Sequence, residues 1–441
     1  MSPRLPRRQT ERRGLRLWPV GTVLTLAFIT AMTVASAAFY AGWHFLGAQE
    51  MKTQAKIDSK TLFNLVKLSF GVVAGAGALV ALVVAYRRQR VNEDGALRDA
   101  TRLHTERFTT AVSQLGDSSP AVRLGGVHAL AGLADDAPTR DLRQTCIDVL
   151  CAYLRLPYTA ETDLPTGDTD AQHNYLALRE VRHTIIRLIR DHLRRPADNP
   201  HSWQGHDLDF TCAVFDGGDL SGATFSSGTV NFSDATFASG TVRFLDVTFS
   251  GGTVNFTGAT FTGGTVGFNT ATFSGSTVNF VRTTFNGTTL NFTGATFTGG
   301  TVDFNTATLN GIAINFVRAT LNGGTVNFKG ATFNGIAINF TDATFNSSTV
   351  HFARTTLNSG AIRFKSAKFN GGTLTFKGTT FNGGTLTFGH ARFMGSTIIF
   401  NSTTFDGGTV SFEHVTGNAP TGLPGLAGSP IPTGLTLATG W

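Results

Sequence analysis

The chain has 441 residues, 41% of them hydrophobic and 15% charged, with a formal net charge of +7. It is long enough for several domains, and too apolar and too sparsely charged for a disordered protein. Its three cysteines, Cys146, Cys151 and Cys212, exclude a disulfide-stapled scaffold.

A basic arm comes first, residues 1–16, with Arg4, Arg7, Arg8, Arg12, Arg13 and Arg16. Two apolar stretches follow, at 17–46 and 65–86, joined by a loop at 47–64. Each has the length of a bilayer span, and Trp18 and Trp43 stand near the ends of the first. Two transmembrane helices are therefore expected. A signal peptide cut near Ala35-Ser36-Ala37 is the other reading of the first stretch, but its apolar run continues through Phe45. Arg87, Arg88 and Arg90 follow the second stretch, while Lys52, Lys56 and Lys60 in the loop are offset by Glu50 and Asp58. The positive-inside rule then predicts an integral two-span protein with both termini cytoplasmic and a short external loop. Gly71 and Gly75 form a small-residue pair through which such helices, or two protomers, could pack.

Residues 87–200 read as a helical domain. Ala121 to Leu133 has apolar residues at helical spacing behind Pro120, and Asp141 to Arg155 and Glu180 to Arg195 are amphipathic. The first two resemble one HEAT-type hairpin.

Residues 207–416 read as one repeat domain, in which the chain from Phe225 to Val415 repeats a twelve-residue phrase, such as Thr260 to Ala271. Sixteen copies align without a gap. One column is Phe throughout, from Phe232 to Phe412; another is Phe except at Leu309, Leu321 and Leu357. A third is Val, Leu or Ile, and the column before the second is Ala, Thr or Val. Each phrase holds two short runs of strand period separated by Gly-Gly, Asn-Gly or Ser-Gly corners. These features predict a parallel β-helix. Twelve residues enclose too little space for two Phe rings, so a coil of 24 residues and four faces is expected. Residues 417–441, with Pro420, Pro424, Pro430 and Pro432 among Gly and Ala, read as a disordered tail or a loose cover for the last coil.

At the start of the repeats Phe210, Phe215, Leu220 and Phe225 stand five apart, in Ala213-Val214-Phe215-Asp216-Gly217, Gly218-Asp219-Leu220-Ser221-Gly222 and Ala223-Thr224-Phe225-Ser226-Ser227. They resemble the Ala-(Asp/Asn)-Leu-x-x motif of pentapeptide-repeat proteins, closely over 208–227 and more loosely over 228–415. The resemblance implies a right-handed quadrilateral β-helix. Spans, helical block and repeats in this order resemble bacterial membrane-anchored pentapeptide-repeat proteins, which implies an inner-membrane location and supplies no activity.

No catalytic, cofactor-binding or metal-binding residue stands out. His201 and His206, beside Asp207 and Asp209, lack further ligands at fixed spacing, and the glycine pairs belong to the corners, not to a phosphate loop. No enzyme activity and no cofactor are expected. From Asp207 to Glu413 ten acidic residues balance ten basic ones, which argues against DNA mimicry and against nucleic acid as a partner. The expected role is a membrane-tethered cytoplasmic scaffold or protein-interaction platform presenting a neutral Thr/Asn surface, with homo-oligomers through the spans or the solenoid ends. The alternatives are a topoisomerase-protecting module and, through Thr-x-Asn ladders that resemble antifreeze β-helices, an ice- or crystal-binding surface.

Overall fold

The fold comes from a computed structural model, in which residues 20–45, 59–238, 240–423 and 434–438 are described. The basic arm and most of the loop at 47–64 lie outside the described residues. The chain divides into two compact units at Thr101 and Arg102.

Helix α1 runs from Val20 to Phe45 and α2 from Ser59 to Leu115. The expected transmembrane helices are not borne out: among the described residues no helix is long and apolar enough to cross a membrane. The apolar stretch at 65–86 is not an element of its own. It is the first part of a 57-residue helix that runs on through Arg87, Arg88, Arg90, Glu93 and Asp94. Good helix formers without proline carry it across the expected boundary, helped by side-chain pairs such as Gln89–Glu93 at 3.1 Å. In α1, Thr22, Thr25, Thr30, Thr33, Ser36 and His44 dilute the apolar sequence, and the Thr30 and Thr33 hydroxyls bond back to the carbonyls of Leu26 and Ile29. With the spans go the inferences built on them, namely an integral membrane partner, an inner-membrane location, cytoplasmic termini and pairing through membrane helices.

In the second unit the end of α2 meets α3 (Pro120–Asp135), α4 (Arg140–Arg155) and α5 (Thr169–Leu193). Each begins on a helix-start signal in the chain. Pro120 fills the first turn of α3, Thr139 Oγ1 accepts from Leu142 N, and Asp168 Oδ1 accepts from Ala171 N. Val127, Leu130, Ile147, Leu150, Val181 and Ile185 form the core between them. Gly126 permits the close crossing of α2 and α3, since a Cβ there would sit 2.5 Å from Leu115 N. Helix α4 packs against the first strand of the solenoid and α5 against the third.

The solenoid is a right-handed parallel β-helix with four faces. The first face stacks Leu208–Asp209, Thr229–Asn231, Thr253–Asn255 and so on to Thr397–Ile399; the second runs from Val214–Phe215 to Thr404–Phe405. The third starts at Gly218–Asp219 and the fourth at Thr224–Ser226. Thr253 pairs with Thr277, Val254 with Val278 and Asn255 with Asn279, so one coil is 24 residues and holds two phrases. The entry coil is shorter, with Leu208 opposite Val230. Nine rungs at the usual strand spacing give a rod of about 40 Å.

Four columns of rings fill the interior. Phe256 stacks on Phe232 and Phe280 at 4.7 Å, and Phe268 lies 4.7 Å from Phe244 and 5.0 Å from Phe292. Valine, leucine or isoleucine from each first and third face completes each layer. At three positions where the small column is Thr instead of Ala, the hydroxyl reaches the preceding coil: Thr283 donates to Phe256 O at 3.0 Å, Thr379 to Phe352 O at 2.6 Å and Thr403 to Phe376 O at 2.9 Å.

One residue per phrase, at the turn after the first and the third face, has a left-handed backbone. That column holds Gly258, Gly294, Gly330 and Gly378, but also Arg282, Thr306, Arg318 and Arg354, with φ near +57°. A β-branched residue is strained there. Thr306→Gly is expected to stabilise the solenoid by about 0.5–1 kcal/mol, read as a higher urea midpoint at unchanged slope.

The end of the chain covers the last coil in part. Leu435–Thr436 adds to the third face beside Thr409–Ser411, and Thr421 bridges to Ile399 on the first. Leu423, Leu435 and Ala438 are buried. The remainder of the tail, 424–433 and 439–441, lies outside the described residues.

Candidate functional site

The densest polar cluster sits where the helical block meets the entry coil, on the turn after Val214–Phe215. Asp216 is buried there. Tyr158 and Tyr175 donate to its Oδ2 at 2.7 and 2.8 Å, His183 Nε2 lies 3.2 Å from Oδ1, and Arg179 Nε lies 3.5 Å from Oδ2. Tyr158 follows the end of α4, and the other three project from α5. Burial alone would raise the Asp216 carboxyl, but the bonds from His183, Tyr158 and Tyr175 outweigh it and hold the group well below the usual carboxylate range. Burial and the carboxylate push both tyrosine hydroxyls far up.

Chemically this cluster is a clasp. The carboxylate is ionised with its acceptor sites filled, and neither phenol can lose its proton near neutrality. Around it Arg155 pairs with Asp209, and Arg190 with Asp219 at 2.7 Å, so helix arginines neutralise entry-coil carboxylates on two sides. Arg182 is buried under the Tyr158 ring, 4.2 Å from its centre, and bonds to Val214 O. Beside Tyr158 and Arg182 is a cavity of about 310 Å³, also lined by Leu115, Arg123, Tyr153 and Leu156.

The histidines and acids weighed in the sequence are scattered among separate structural tasks. His206 Nδ1 donates to Gln144 Oε1 at 2.9 Å, and burial followed by the charges of Arg140 and Arg143 lowers it to about 4. His201 faces Asp135 at 3.8 Å, and Asp207 accepts from Thr229 N. Among the described residues no group of three His, Cys, Asp or Glu is placed to hold a metal. Cys146 and Cys151 are buried, and burial pushes their thiols up to about 11 and about 12. Cys212 is exposed and has φ +60°.

The Thr/Asn surface has a structural purpose that the sequence hid. On the first and third faces the outward Asn turns back on its own corner: Asn255 Oδ1 accepts from Thr257 N, and Asn291 Oδ1 from Thr293 N. At the ends of second- and fourth-face strands, asparagines bond to each other along the rod. Asn286, Asn310, Asn334, Asn358 and Asn382 form one such ladder at 2.7–2.9 Å, and Asn322, Asn346 and Asn370 another. Threonine is continuous on the first face from Thr229 to Thr397, but on the third it gives way to Ala313, Ala337 and Ala361.

The clasp was missed because its partners come from two segments more than thirty residues apart. The usable signal was Asp216, a charged residue at the tight turn of the first pentapeptide phrases.

A family model described as pentapeptide repeats (9 copies) matches residues 210–260. No curated protein matches. Among solved structures the chain is similar to that of QnrB1, described as a plasmid-mediated fluoroquinolone resistance protein. The identity is 11%, over 46% of this chain and 88% of that one, with a TM-score of 0.15. At that score the likeness carries no argument about fold or function.

Proposed function

The chain is a pentapeptide-repeat-containing protein, and from that premise we propose that it acts without catalysis, as a solenoid whose sides bind a protein partner. The observation that carries this reading is the rod itself: four continuous parallel faces in fixed register, stiffened by ring stacks inside and amide ladders outside. Such a surface repeats one geometry every coil and suits an extended partner.

Within this reading, the more specific version is protection of a topoisomerase, a role that some pentapeptide-repeat proteins have. Protection here would work by contact of a face with the enzyme. DNA mimicry needs a dense acidic rod, and the carboxylates of this rod are few and partly paired to helix arginines. The test is a gyrase supercoiling assay with a fluoroquinolone present. Added full-length protein is expected to restore supercoiling and to co-sediment with the enzyme. Neither effect at a severalfold molar excess over gyrase would remove the topoisomerase reading.

A further inference from the structure

The equal count of acidic and basic residues along the solenoid hides a strong asymmetry. Residues 207–303 hold seven carboxylates and two cationic side chains, whereas 304–413 hold eight Lys or Arg and three carboxylates. The acidic end is also partly spent. Asp209, Asp216 and Asp219 pair with Arg155, with Arg179 and His183, and with Arg190. The basic end has no such partners: among the described residues no ion pair involves Arg363, Lys365, Lys368 or Arg392.

These four side chains are exposed and converge on the edge where the third face turns into the fourth. Arg363 ends a third-face strand, Lys365 stands in the turn, and Lys368 opens the next fourth-face strand. Lys368 is in direct register with Arg392, one strand spacing or about 4.8 Å along the rod. Like charges directly opposite destabilise a sheet. On the same edge His390 and His414 stack, with ring centres 4.9 Å apart. Asp342 and Glu413 are the carboxylates nearest in the turn column, one on each side of the cluster.

We propose that this edge binds the phosphodiester backbone of nucleic acid. Four unpaired cations on this exposed edge, two of them at strand spacing, offer phosphate contacts that need no pocket. An acidic protein is the weaker match, because protein interfaces are anchored by buried aromatic or apolar groups. Met394 is the large exposed apolar side chain beside the cluster, and no exposed aromatic accompanies it. The proposal stands apart from the protein-binding reading above and is tested without a topoisomerase.

The full-length protein is titrated against a short fluorescein-labelled duplex DNA by anisotropy. With four phosphate contacts, affinity is expected to fall about a hundredfold between about 50 and 200 mM salt. The double variant Lys368→Glu/Arg392→Glu should bind at least about tenfold more weakly, and its log–log salt slope should drop by about two. Arg243→Glu, a basic residue of the acidic end, should change neither. Lys368→Gln/Arg392→Gln serves as the milder pair if the reversal perturbs folding by circular dichroism. Absence of DNA binding at the lower salt overturns the proposal, and so does binding that the double variant leaves intact, which would place it on the Arg-rich arm. Binding of a labelled polyglutamate peptide without binding of DNA would overturn it in favour of an acidic polypeptide.

Discussion

Asp216→Ala is expected to cost about 3–5 kcal/mol, because it takes a buried carboxylate from three hydrogen-bond donors, Tyr158, Tyr175 and His183, and from its ion pair with Arg179. The loss should appear as early melting of the helical signal in urea, since the clasp ties α5 to the entry coil. The same group sets an acid limit. Its folded carboxyl lies below the unfolded value of about 3.9, so its stabilising contribution is complete above that pH and fades as pH falls below it. Wild type should therefore lose midpoint steeply on acidification below about pH 4, and Asp216→Ala less steeply. Equal acid slopes in the two proteins would show that the clasp does not control this limit.

The second large effect is in the rod. Phe292 is fully buried between Phe268 at 5.0 Å and Phe316 at 4.8 Å, with Phe273 and Phe297 tilted against it. Phe292→Ala should cost about 3–5 kcal/mol, the loss of a ring plus the void left in a stack that cannot close without shortening a coil. Phe285→Leu should cost far less. The same column already holds Leu309 and Leu357, and the side chain remains large and apolar. Urea midpoints of the two variants give the comparison directly. Because each coil touches only its neighbours, the gap at Phe292 should also broaden the transition as the two halves of the rod uncouple.

Much of the rod was legible from its residues. The Phe columns, the aliphatic column and the small column report inward positions at strand period, and ring volume alone pointed to 24 residues per coil. The register of Thr253 with Thr277 bears this out. The left-handed column was harder to see, because Arg282, Arg318 and Thr306 give no sign of the backbone they must adopt. Hydropathy misled at the N-terminal side. An apolar window at 65–86 has the composition of a span, but a window does not show that the helix continues through the arginines beyond it. The clasp depends on α5 meeting a turn of the entry coil, and the basic edge on which turns share a corner; neither is a property of any local stretch. Summing charge over the rod also averaged away its two ends.

The mismatch between phrase and coil has a geometric consequence. Two phrases make one turn, so each phrase advances the rod by half a strand spacing and rotates it by half a revolution, as along a twofold screw. Adding or removing an even number of phrases changes only length. An odd number carries every downstream corner to the opposite side of the rod, while the stacked interior continues because both halves of a coil use the same columns. The azimuth of the Lys368–Arg392 edge relative to α5 is thus set by the parity of the phrases between them. Slippage in such a repetitive sequence could reverse the direction in which the rod shows its charge without disturbing its fold.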